Sequence, residues 1–275
     1  MADVVSKGHL NPGVPGVRME RFALARPGEP LAEVVRHLWF GRWSLPPGVV
    51  RPQRVLSYPA ANLVIMPQGA LLAGLGTAVA VQELSGESWV LGALLRPAAT
   101  RLFTDEEPKA LIGARRPLPE APVSEVSELV HDAGAQDALA AIVRVWLAPV
   151  AERMDDRMRL CNDVCRLAED DGSLTRVDEL ADRAGLPLRT LDRLVRDHVG
   201  VSPKWLLDCR RLQEAATILY ADPDVRLADL ALRLGFSDQA HFARSYRRVV
   251  GETPSQTRQA GNAARAVSSA PPRLR

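Results

Sequence analysis

Cysteine and lysine are scarce in this chain. Its 275 residues include only three of each, namely Cys161, Cys165, Cys209, Lys7, Lys109 and Lys204. The cysteine count is odd, and there is neither a Cys-x-x-Cys pair nor a histidine at zinc-ligand spacing, so the pattern argues against a disulfide framework and a zinc site. We therefore expect a protein of the reducing cytoplasm that carries no metal and no cofactor. The scarcity of lysine also excludes a polybasic tail.

Long apolar runs are missing as well. The N-terminal MADVVSKGHLNPGVPG has no continuous apolar stretch of the kind found in a secretory signal. The long uncharged run between Arg54 and Glu83 is broken by prolines and glycines, whereas a membrane helix needs about 20 mostly apolar residues. These absences predict a soluble protein with no membrane partner.

The net charge is close to zero, because 35 Lys and Arg residues are balanced by 33 Asp and Glu residues, a formal +2. A protein with so little excess charge binds nucleic acid only where its arginines are concentrated on particular surfaces, since binding follows the local field at the phosphates. The positions of the arginines therefore matter more than their number.

The character of the sequence changes along the chain. Up to about residue 110, short apolar segments alternate with Pro and Gly, which is typical of a β-rich domain. After a proline-rich passage, apolar residues recur at helical spacing. We predict an α+β protein with a β-rich regulatory or sensor domain over 1–112, a helical linker or dimerisation region over 113–153, an all-α domain over 154–258, and a flexible tail over 259–275.

The second half contains an internal repeat, in which LADRAGLPLRTLDRLVRDHVGVSP (180–203) is similar to LALRLGFSDQAHFARSYRRVVGETP (230–254). The shared residues recur fifty positions later and, after one inserted residue, fifty-one positions later; in the first copy they are Leu180, Ala181, Arg183, Gly185, Arg193, Gly200 and Pro203. Each copy has the pattern of a helix, a glycine turn and a second helix. This is the helix-turn-helix unit, whose second helix can enter a major groove.

The second helix of each copy is predicted to carry a basic stripe opposite an apolar one. With Leu191 pointing inward, the outward positions are Arg189, Arg193 and Arg196. With Phe242 pointing inward, they are Ala240, Arg244 and Arg247, with Arg248 alongside. Residues 189–211 include six basic and three acidic residues, and residues 239–258 include four basic and one acidic, so each segment has a net charge of +3.

Between the two copies, residues 203–220 predict one long amphipathic helix. A helix of this length spans roughly 25 Å. It is suited to hold two recognition helices about one turn of DNA apart, roughly 34 Å, on one side of a duplex.

Residues from about 155 to 258 resemble the DNA-binding domain of AraC/XylS-type transcriptional regulators. LALRLGFSDQAHFARSYRRVVGETPSQTR resembles the C-terminal signature of that family nearly throughout, and the first copy resembles it less closely. The resemblance implies a bacterial-type transcription regulator with seven helices, whose two helix-turn-helix units read adjacent major-groove segments of double-stranded DNA. RNA polymerase is a further partner if the protein is an activator. Pro187 departs from the family pattern, which has a Ser or Thr cap there, and this puts the start of the first recognition helix in question.

Three N-terminal motifs, HLWFGRW, YPAANLVIMPQG and LGALLRPAATRLF, resemble small β-rich sensor domains that precede this DNA-binding domain. The resemblance implies a regulatory domain, cupin-like in one version, that binds a small-molecule effector or a second copy of the chain. Candidates for an effector pocket are Trp39, Phe40, Trp43, Tyr58, Trp89 and Arg96. The aromatic residues fit an ordinary core equally well, and Arg96 fits either an anionic effector or an internal carboxylate.

We assign the DNA contacts by side-chain chemistry. Arginine offers a bidentate fork to guanine, glutamine pairs with adenine, and alanine gives only methyl contact to thymine. The candidate base readers are Arg189, Thr190, Asp192 and Arg193 in the first unit, and Gln239, Ala240, His241 and Arg244 in the second. Because the units differ, the two half-sites should differ in sequence. The candidate phosphate contacts, which set position more than specificity, are Arg196, Lys204, Arg247 and Arg248.

Two other functions remain open from the sequence. One is an enzyme, such as a DNA-repair alkyl acceptor, fused to the DNA-binding domain, but that chemistry needs a nucleophilic cysteine and none precedes Cys161. GESWV lacks the final glycine of a nucleophile elbow, and GLGTAV lacks the third glycine of a dinucleotide site, so we predict no enzyme activity. The other is an N-terminal half that serves only for interaction or homodimerisation, without a ligand.

Overall fold

A six-stranded antiparallel sheet forms the framework of the first half of the chain. The computed structural model describes residues 16–55, 58–77, 79–132, 134–222 and 224–268. The strands are β1 (Val17–Phe22), β2 (Val35–Ser44), β3 (Val50–Val55), β4 (Asn62–Met66), β5 (Gly69–Ala73), β6 (Ala80–Ser85), β7 (Glu87–Leu95) and β8 (Arg115–Pro117). The large sheet has the order β1-β2-β7-β4-β5-β8, and β3 pairs with β6 in a second sheet. The prediction of a β-rich N-terminal domain in an α+β fold is confirmed.

One face of the large sheet is buried by two helices. Alternate strand residues such as Leu38, Leu63 and Leu91 share this face, as the period of two along a strand requires. They form one core with α1 (Val123–Leu129) and α2 (Gln136–Ala151). The apolar stripe of α2 in this core consists of Leu139, Ala140, Val143, Leu147 and Ala151.

The segment 113–153, predicted as a helical linker or dimerisation region, packs against the N-terminal sheet. Strand β8 pairs with β5 at the sheet edge, and α1 and α2 cover the sheet, so this segment belongs to the N-terminal domain. An apolar sheet face needs a second layer to cover it, and here α1 and α2 supply that layer. The proline-rich passage therefore connects the sheet to its own helical layer and does not separate two domains. The core ends at Met154, and the next helix begins at Asp156.

The smaller sheet, called the ribbon from here on, continues the β2–β7 ladder. Leu45 donates its backbone N–H to the carbonyl oxygen of Gly86 (2.9 Å) at the bend. The chain re-enters the large sheet at Asn62, which pairs with Leu94 near the end of β7. The first residue of β2, Val35, pairs at the same end of β7, with Leu95. Strand β3 therefore runs back along the sheet, and Trp43 Nε1 joins the layers by donating to the carbonyl oxygen of Ser85 (3.2 Å). Because Trp43 is on the side of the large sheet opposite α1 and α2, the ribbon meets the sheet on that side.

Seven helices form the described part of the second half, as the predicted all-α domain requires. They are α3 (Asp156–Asp170), α4 (Val177–Ala184), α5 (Leu188–Val199), α6 (Pro203–Ala221), α7 (Leu227–Arg233), α8 (Gln239–Val250) and α9 (Pro254–Ser268). Helices α4 and α5 form one helix-turn-helix unit, and α7 and α8 form the other. Gly185 (φ +65°) and Gly235 (φ +72°) make the two turns in the left-handed region that favours glycine. No helix in the described ranges is long and apolar enough to cross a lipid bilayer.

Helix α6 passes between the two units and contributes to the core of each. Its buried apolar residues are Leu206 and Leu207 in the first core, and Leu212, Ala215, Ala216 and Leu219 in the second. At the junction, Arg210 Nη2 donates to the carbonyl oxygen of Leu174 (2.8 Å), just before α4. Arg211 Nε donates to the carbonyl oxygen of Leu234, at the turn before α8. Two consecutive side chains of α6 therefore hold different units.

The predicted flexible tail is wrong over 259–268, because α9 continues to Ser268; residues 269–275 lie outside the described residues. Helix α9 packs along α6. Gly261 approaches α6 so closely that a Cβ there would lie 2.3 Å from the carbonyl oxygen of Tyr220. Tertiary packing therefore extends a helix that the sequence pattern alone does not predict.

Candidate nucleic-acid interface

Helix α5 presents the predicted basic stripe to solvent. Its buried residues are Leu191, Leu194, Val195, His198 and Val199. Arg189 and Arg193 are exposed on the opposite side, and neither forms an ion pair with any residue that the structure describes. Their guanidinium groups therefore keep their donors available for a base edge or a phosphate.

The third arginine of the stripe is paired within the helix. Arg196 Nε donates to Asp192 Oδ2 (2.8 Å), one turn away. Thr190 and Asp192 are half-buried beside the stripe. Because the side chains of both partners are about half exposed, the ion pair is weak and can be exchanged for a phosphate contact. The four predicted base readers of the first unit thus lie on one helix, and one of them, Asp192, is ion-paired with Arg196.

The start of α5 has a residue that sequence reasoning missed. Pro187 takes the N-cap position without a side-chain hydrogen bond, and helix α5 begins directly after it. Leu188, in the first turn, is 52% exposed although it is large and apolar. In the repeat, Leu188 occupies the position of Gln239, fifty-one residues later. Aligning the two copies therefore identifies Leu188 as the counterpart of a predicted base reader. An exposed leucine at the tip of a recognition helix can contact the methyl group of thymine.

Helix α8 begins with a regular cap. Asp238 Oδ1 accepts a hydrogen bond from the backbone N–H of His241 (2.7 Å), and this bond holds the pKa of the Asp238 carboxyl below its usual value. The His241 ring lies 3.2 Å from Ser237 Oγ and packs edge-on against Phe236. The His241 ring is therefore held by these two neighbours at the start of the exposed face of α8. Gln239, Ala240 and Arg244 are exposed along the same helix.

The predicted phosphate contacts are all exposed, but they lie on three helices. Arg247 and Arg248 lie in the last turn of α8, Lys204 lies in the first turn of α6, and Arg196 lies on α5. Arg258 differs from them, because it is half-buried and its Nη2 donates to the carbonyl oxygen of Val225 (2.6 Å). This last arginine is part of the packing of α9.

The six candidates for an effector pocket do not lie in one site. Trp39 and Trp43 lie on the side of the large sheet that faces the ribbon. Phe40 and the buried Trp89 pack with the core on the opposite side, under α1 and α2. Tyr58 and Arg96 lie at the boundary with the helical half; they are described below. The alternation of side chains along β2 separates Trp39 from Phe40, since neighbouring residues of a strand point to opposite faces.

The sheet face under the ribbon is apolar and only half-buried. Trp39 lies across β7, where a Cβ on Gly92 would fall 2.0 Å from its ring, and its Nε1 donates to Asn62 Oδ1 (3.0 Å). The half-buried residues of this face are Met19, Trp39, Trp43, Val64, Met66, Leu71 and Val90. Such a face, with an indole as its floor, suits an apolar or flat ligand.

At the boundary between the two halves, charged side chains meet on one carboxylate. Glu169 of α3 accepts two hydrogen bonds from Arg36 and one from Tyr58 Oη, and Arg36 lies over the Tyr58 ring. Arg96 Nε donates to the carbonyl oxygen of Ala32 (3.0 Å). Burial, together with the nearby positive charges of three arginines, lowers the pKa of His37 to about 4. The Glu169 carboxylate is thus bound by Arg36 and Tyr58, while the hydrogen bond of Arg96 goes to a backbone carbonyl.

The three cysteines are buried in the helical half. A hydrogen bond with Cys161 and burial raise the pKa of the Cys165 thiol, and burial raises that of Cys209. A raised pKa leaves little thiolate at neutral pH, so the Cys165 and Cys209 thiols are poor nucleophiles.

Two protein families match different parts of the sequence. Residues 180–260 match the family described as "Helix-turn-helix domain", which covers both repeat copies. Residues 24–116 match the family described as "Domain of unknown function (DUF6597)", which covers strands β2 to β7 and the first two residues of β8.

Curated relatives match part of the chain. It is 39% identical over 79 residues to the HTH-type transcriptional activator RhaS of Pectobacterium carotovorum, a match that covers 29% of this chain and 28% of the relative. It is 35% identical over 94 residues to the HTH-type transcriptional regulator ExsA of Pseudomonas aeruginosa, which covers 34% of each chain. A solved structure of a probable AraC family transcriptional regulator from Rhodopseudomonas palustris is 30% identical, with a TM-score of 0.34, over 37% of this chain and 96% of that chain. The chain thus spans less than half the length of the curated relatives it matches.

Proposed function

We propose that the protein is a transcription regulator of the AraC/XylS type that binds specific sites on double-stranded DNA; the match of residues 180–260 to a helix-turn-helix domain and the similarity to HTH-type regulators support this proposal. The observation that carries the proposal is the pair of helices α5 and α8. Each follows a glycine turn, buries an apolar stripe and exposes an arginine at the same position of the repeat, Arg193 and Arg244. Two such helices suit adjacent segments of a major groove.

The exposed side chains suggest how each half-site is read. Arg189 and Arg193 offer two bidentate donors to guanines, whereas Gln239 and Arg244 offer one pairing to adenine and one to guanine. Ala240, at the repeat position of Arg189, leaves the second unit with one fewer arginine. The two half-sites therefore differ in sequence, and Arg196, Lys204, Arg247 and Arg248 add contacts to phosphates.

Selection of bound sequences from random DNA with the full chain tests this function. We expect one site with two unlike halves. Arg193→Ala and Arg244→Ala should each weaken binding to that site by about 1–3 kcal/mol and relax the base preference in one half only. Arg159→Ala, which changes an exposed arginine of α3 outside both units, is the matched control. Failure to select any sequence would refute the function, and unchanged binding by both variants would refute the assignment of base readers.

We propose that the N-terminal domain adjusts DNA binding through a small-molecule effector held under the ribbon. The half-buried apolar face around Trp39 supports this place, because it is the exposed apolar part of a sheet whose other side is already filled. A ligand there should raise the melting temperature of the full chain and change its tryptophan fluorescence. Met66→Gln should weaken that response, and the absence of any stabilising compound in a metabolite library would favour an interaction module.

The outer side of α2 supports homodimerisation as a second mode of regulation. Val145 is 77% exposed, and Ala141 and Ala148 are exposed beside it at helical spacing. This apolar strip suits the same strip of a second copy. Sedimentation equilibrium should show a dimer that Val145→Glu dissociates, while Leu160→Glu, at an exposed leucine of α3, does not. A monomeric wild-type chain would refute the dimer.

The remaining assignments follow from a regulator of this kind. Its place of action is the cytoplasm, where the DNA lies, and RNA polymerase is a partner if it activates transcription. A role in binding fits the poorly nucleophilic Cys165 and Cys209 better than a fused alkyl-acceptor enzyme does.

A further inference from the structure

Both recognition helices end in the same way. Gly200 ends α5 with φ +85°, and Gly251 ends α8 with φ +77°, so each closes its helix in the left-handed conformation. The two glycines are fifty-one residues apart and occupy equivalent positions of the repeat.

The N-terminal domain lies against both of these ends. A Cβ on Gly200 would fall 2.7 Å from the carbonyl carbon of Pro108, and a Cβ on Gly251 would fall 2.5 Å from Val79 Cγ1. Val79 also donates its backbone N–H to the carbonyl oxygen of Val249 (3.0 Å). One domain thus contacts the C-terminal ends of two recognition helices at equivalent points.

The connection between β5 and β6 takes part in both cores. Leu75 is buried in the core of the first unit, whereas Val79 packs on the core of the second. The first unit receives further support from Ala98, which is also buried in its core. The sensor domain and the two DNA-binding units are therefore packed as neighbours.

These contacts bear on how the two recognition helices are spaced. Helix α6 joins the units and fixes them at one place, through Arg210 and Arg211. A second point of support, away from α6, is needed to stop one unit from turning relative to the other. Val79 gives that support to α8, and Pro108 gives it to α5.

We propose that Val79 and Pro108 are positioning residues that set the separation and angle of the two recognition helices. The N-terminal domain then determines which spacing between half-sites the protein accepts, although it touches no base. This inference rests on the proposed DNA-binding function, and it assigns part of the sequence specificity to residues outside the DNA-binding half.

Binding to a series of operators tests the proposal with the full chain. The series starts from the site selected by the wild-type protein and adds or removes one base pair between the half-sites, which turns one half by about 35° around the duplex. We expect the wild-type protein to lose roughly tenfold in affinity or more at each step. Val79→Pro removes the N–H donor, and Val79→Ala removes the methyl groups at Gly251. At one or both altered spacings, each variant should lose less than about threefold in affinity for the operator.

Val81→Ala is the matched control, because Val81 is an exposed residue of the neighbouring strand β6. It should keep the spacing dependence of the wild-type protein, whereas Gly200→Ala, whose Cβ would lie 2.7 Å from the backbone of Pro108, should relax it as the Val79 variants do. Melting temperature and circular dichroism identify any variant that fails to fold; in that case the milder Val79→Ala decides. Equal spacing dependence in Val79→Ala and the wild-type protein would overturn the proposal. A wild-type protein that selects no sequence would instead overturn the proposed function.

Discussion

Arg36 of the N-terminal sheet and Glu169 of α3 form a bidentate ion pair across the boundary between the two halves, with Arg36 Nη2 at 2.7 Å from Glu169 Oε1. The Glu169 carboxylate is nearly buried, and Tyr58 donates a third hydrogen bond to it. Asn162, two turns earlier on α3, adds a second link by accepting from the backbone N–H of Ala98 (3.0 Å) and donating to the carbonyl oxygen of Glu33 (3.0 Å). The halves are therefore joined by directed polar contacts as well as by apolar packing.

Replacing one partner of this pair should destabilise the whole chain. Glu169→Gln leaves Arg36 with its charge only partly compensated, so we expect a loss of roughly 3 kcal/mol in the free energy of unfolding by urea. Asp163→Asn, which breaks an exposed ion pair with Arg166 on the same helix, is the control and should cost less than about 0.5 kcal/mol. Similar small losses in both variants would show that the boundary pair contributes little.

Stability should fall between pH 7 and pH 5 because of His37. Its folded-state pKa of about 4 lies below the ordinary value of 6.5, so the unfolded chain takes up a proton in this range before the folded chain does. The stability that comes from keeping His37 neutral is present above pH 6.5 and is lost as the pH falls toward 4. We expect a loss of roughly 2 kcal/mol between pH 7 and pH 5 that His37→Gln removes. An unchanged pH dependence in this variant would assign the effect to other groups.

The two recognition helices should respond differently to removal of their N-caps. Asp238 caps α8 through the backbone N–H of His241, whereas Pro187, at the equivalent position before α5, makes no side-chain cap. Asp238→Ala should therefore lower the melting temperature by roughly 2–4 °C. Pro187→Ala should lower it by less, and calorimetry of both variants compares them directly. Equal shifts would mean that the Asp238 hydrogen bond adds nothing to the stability of α8.

Leu188 should influence base choice without supporting the fold. Because it is 52% exposed in the first turn of α5, Leu188→Ala should leave the melting temperature nearly unchanged. It should also reduce the preference for thymine at one position of the first half-site by about 1 kcal/mol. Leu232→Ala, at a 67% exposed leucine of α7, is the control. Selection from random DNA with both variants gives the base preferences, and identical preferences would exclude Leu188 from the interface.

The helical half was predictable because local signals and tertiary packing agree there. The spacing of Leu191 and Leu194 places the arginines of α5 outward, and the glycine turns mark both units. The packing of α2 on the sheet could not be predicted, because the apolar stripe of a helix does not show which element it packs against. The same limit applies to Trp39 and Phe40, which are neighbours in sequence and lie on opposite faces of the sheet. The repeat aligns Leu188 with Gln239, but the exposure of Leu188 depends on where α5 begins.

The adjacency of Arg210 and Arg211 has a consequence for changes in chain length. Successive residues of a helix are about 100° apart around its axis, so inserting one residue into the middle of α6 would rotate the second unit by that angle and shift it by about 1.5 Å. Helix α8 would then turn away from the side of the duplex that α5 faces. The second repeat copy has one residue more than the first, and this extra residue lies between Gly235 and Arg244, near the turn that precedes α8. Helix α6 should thus accept substitutions on its exposed side but no insertion or deletion, whereas a turn can absorb both.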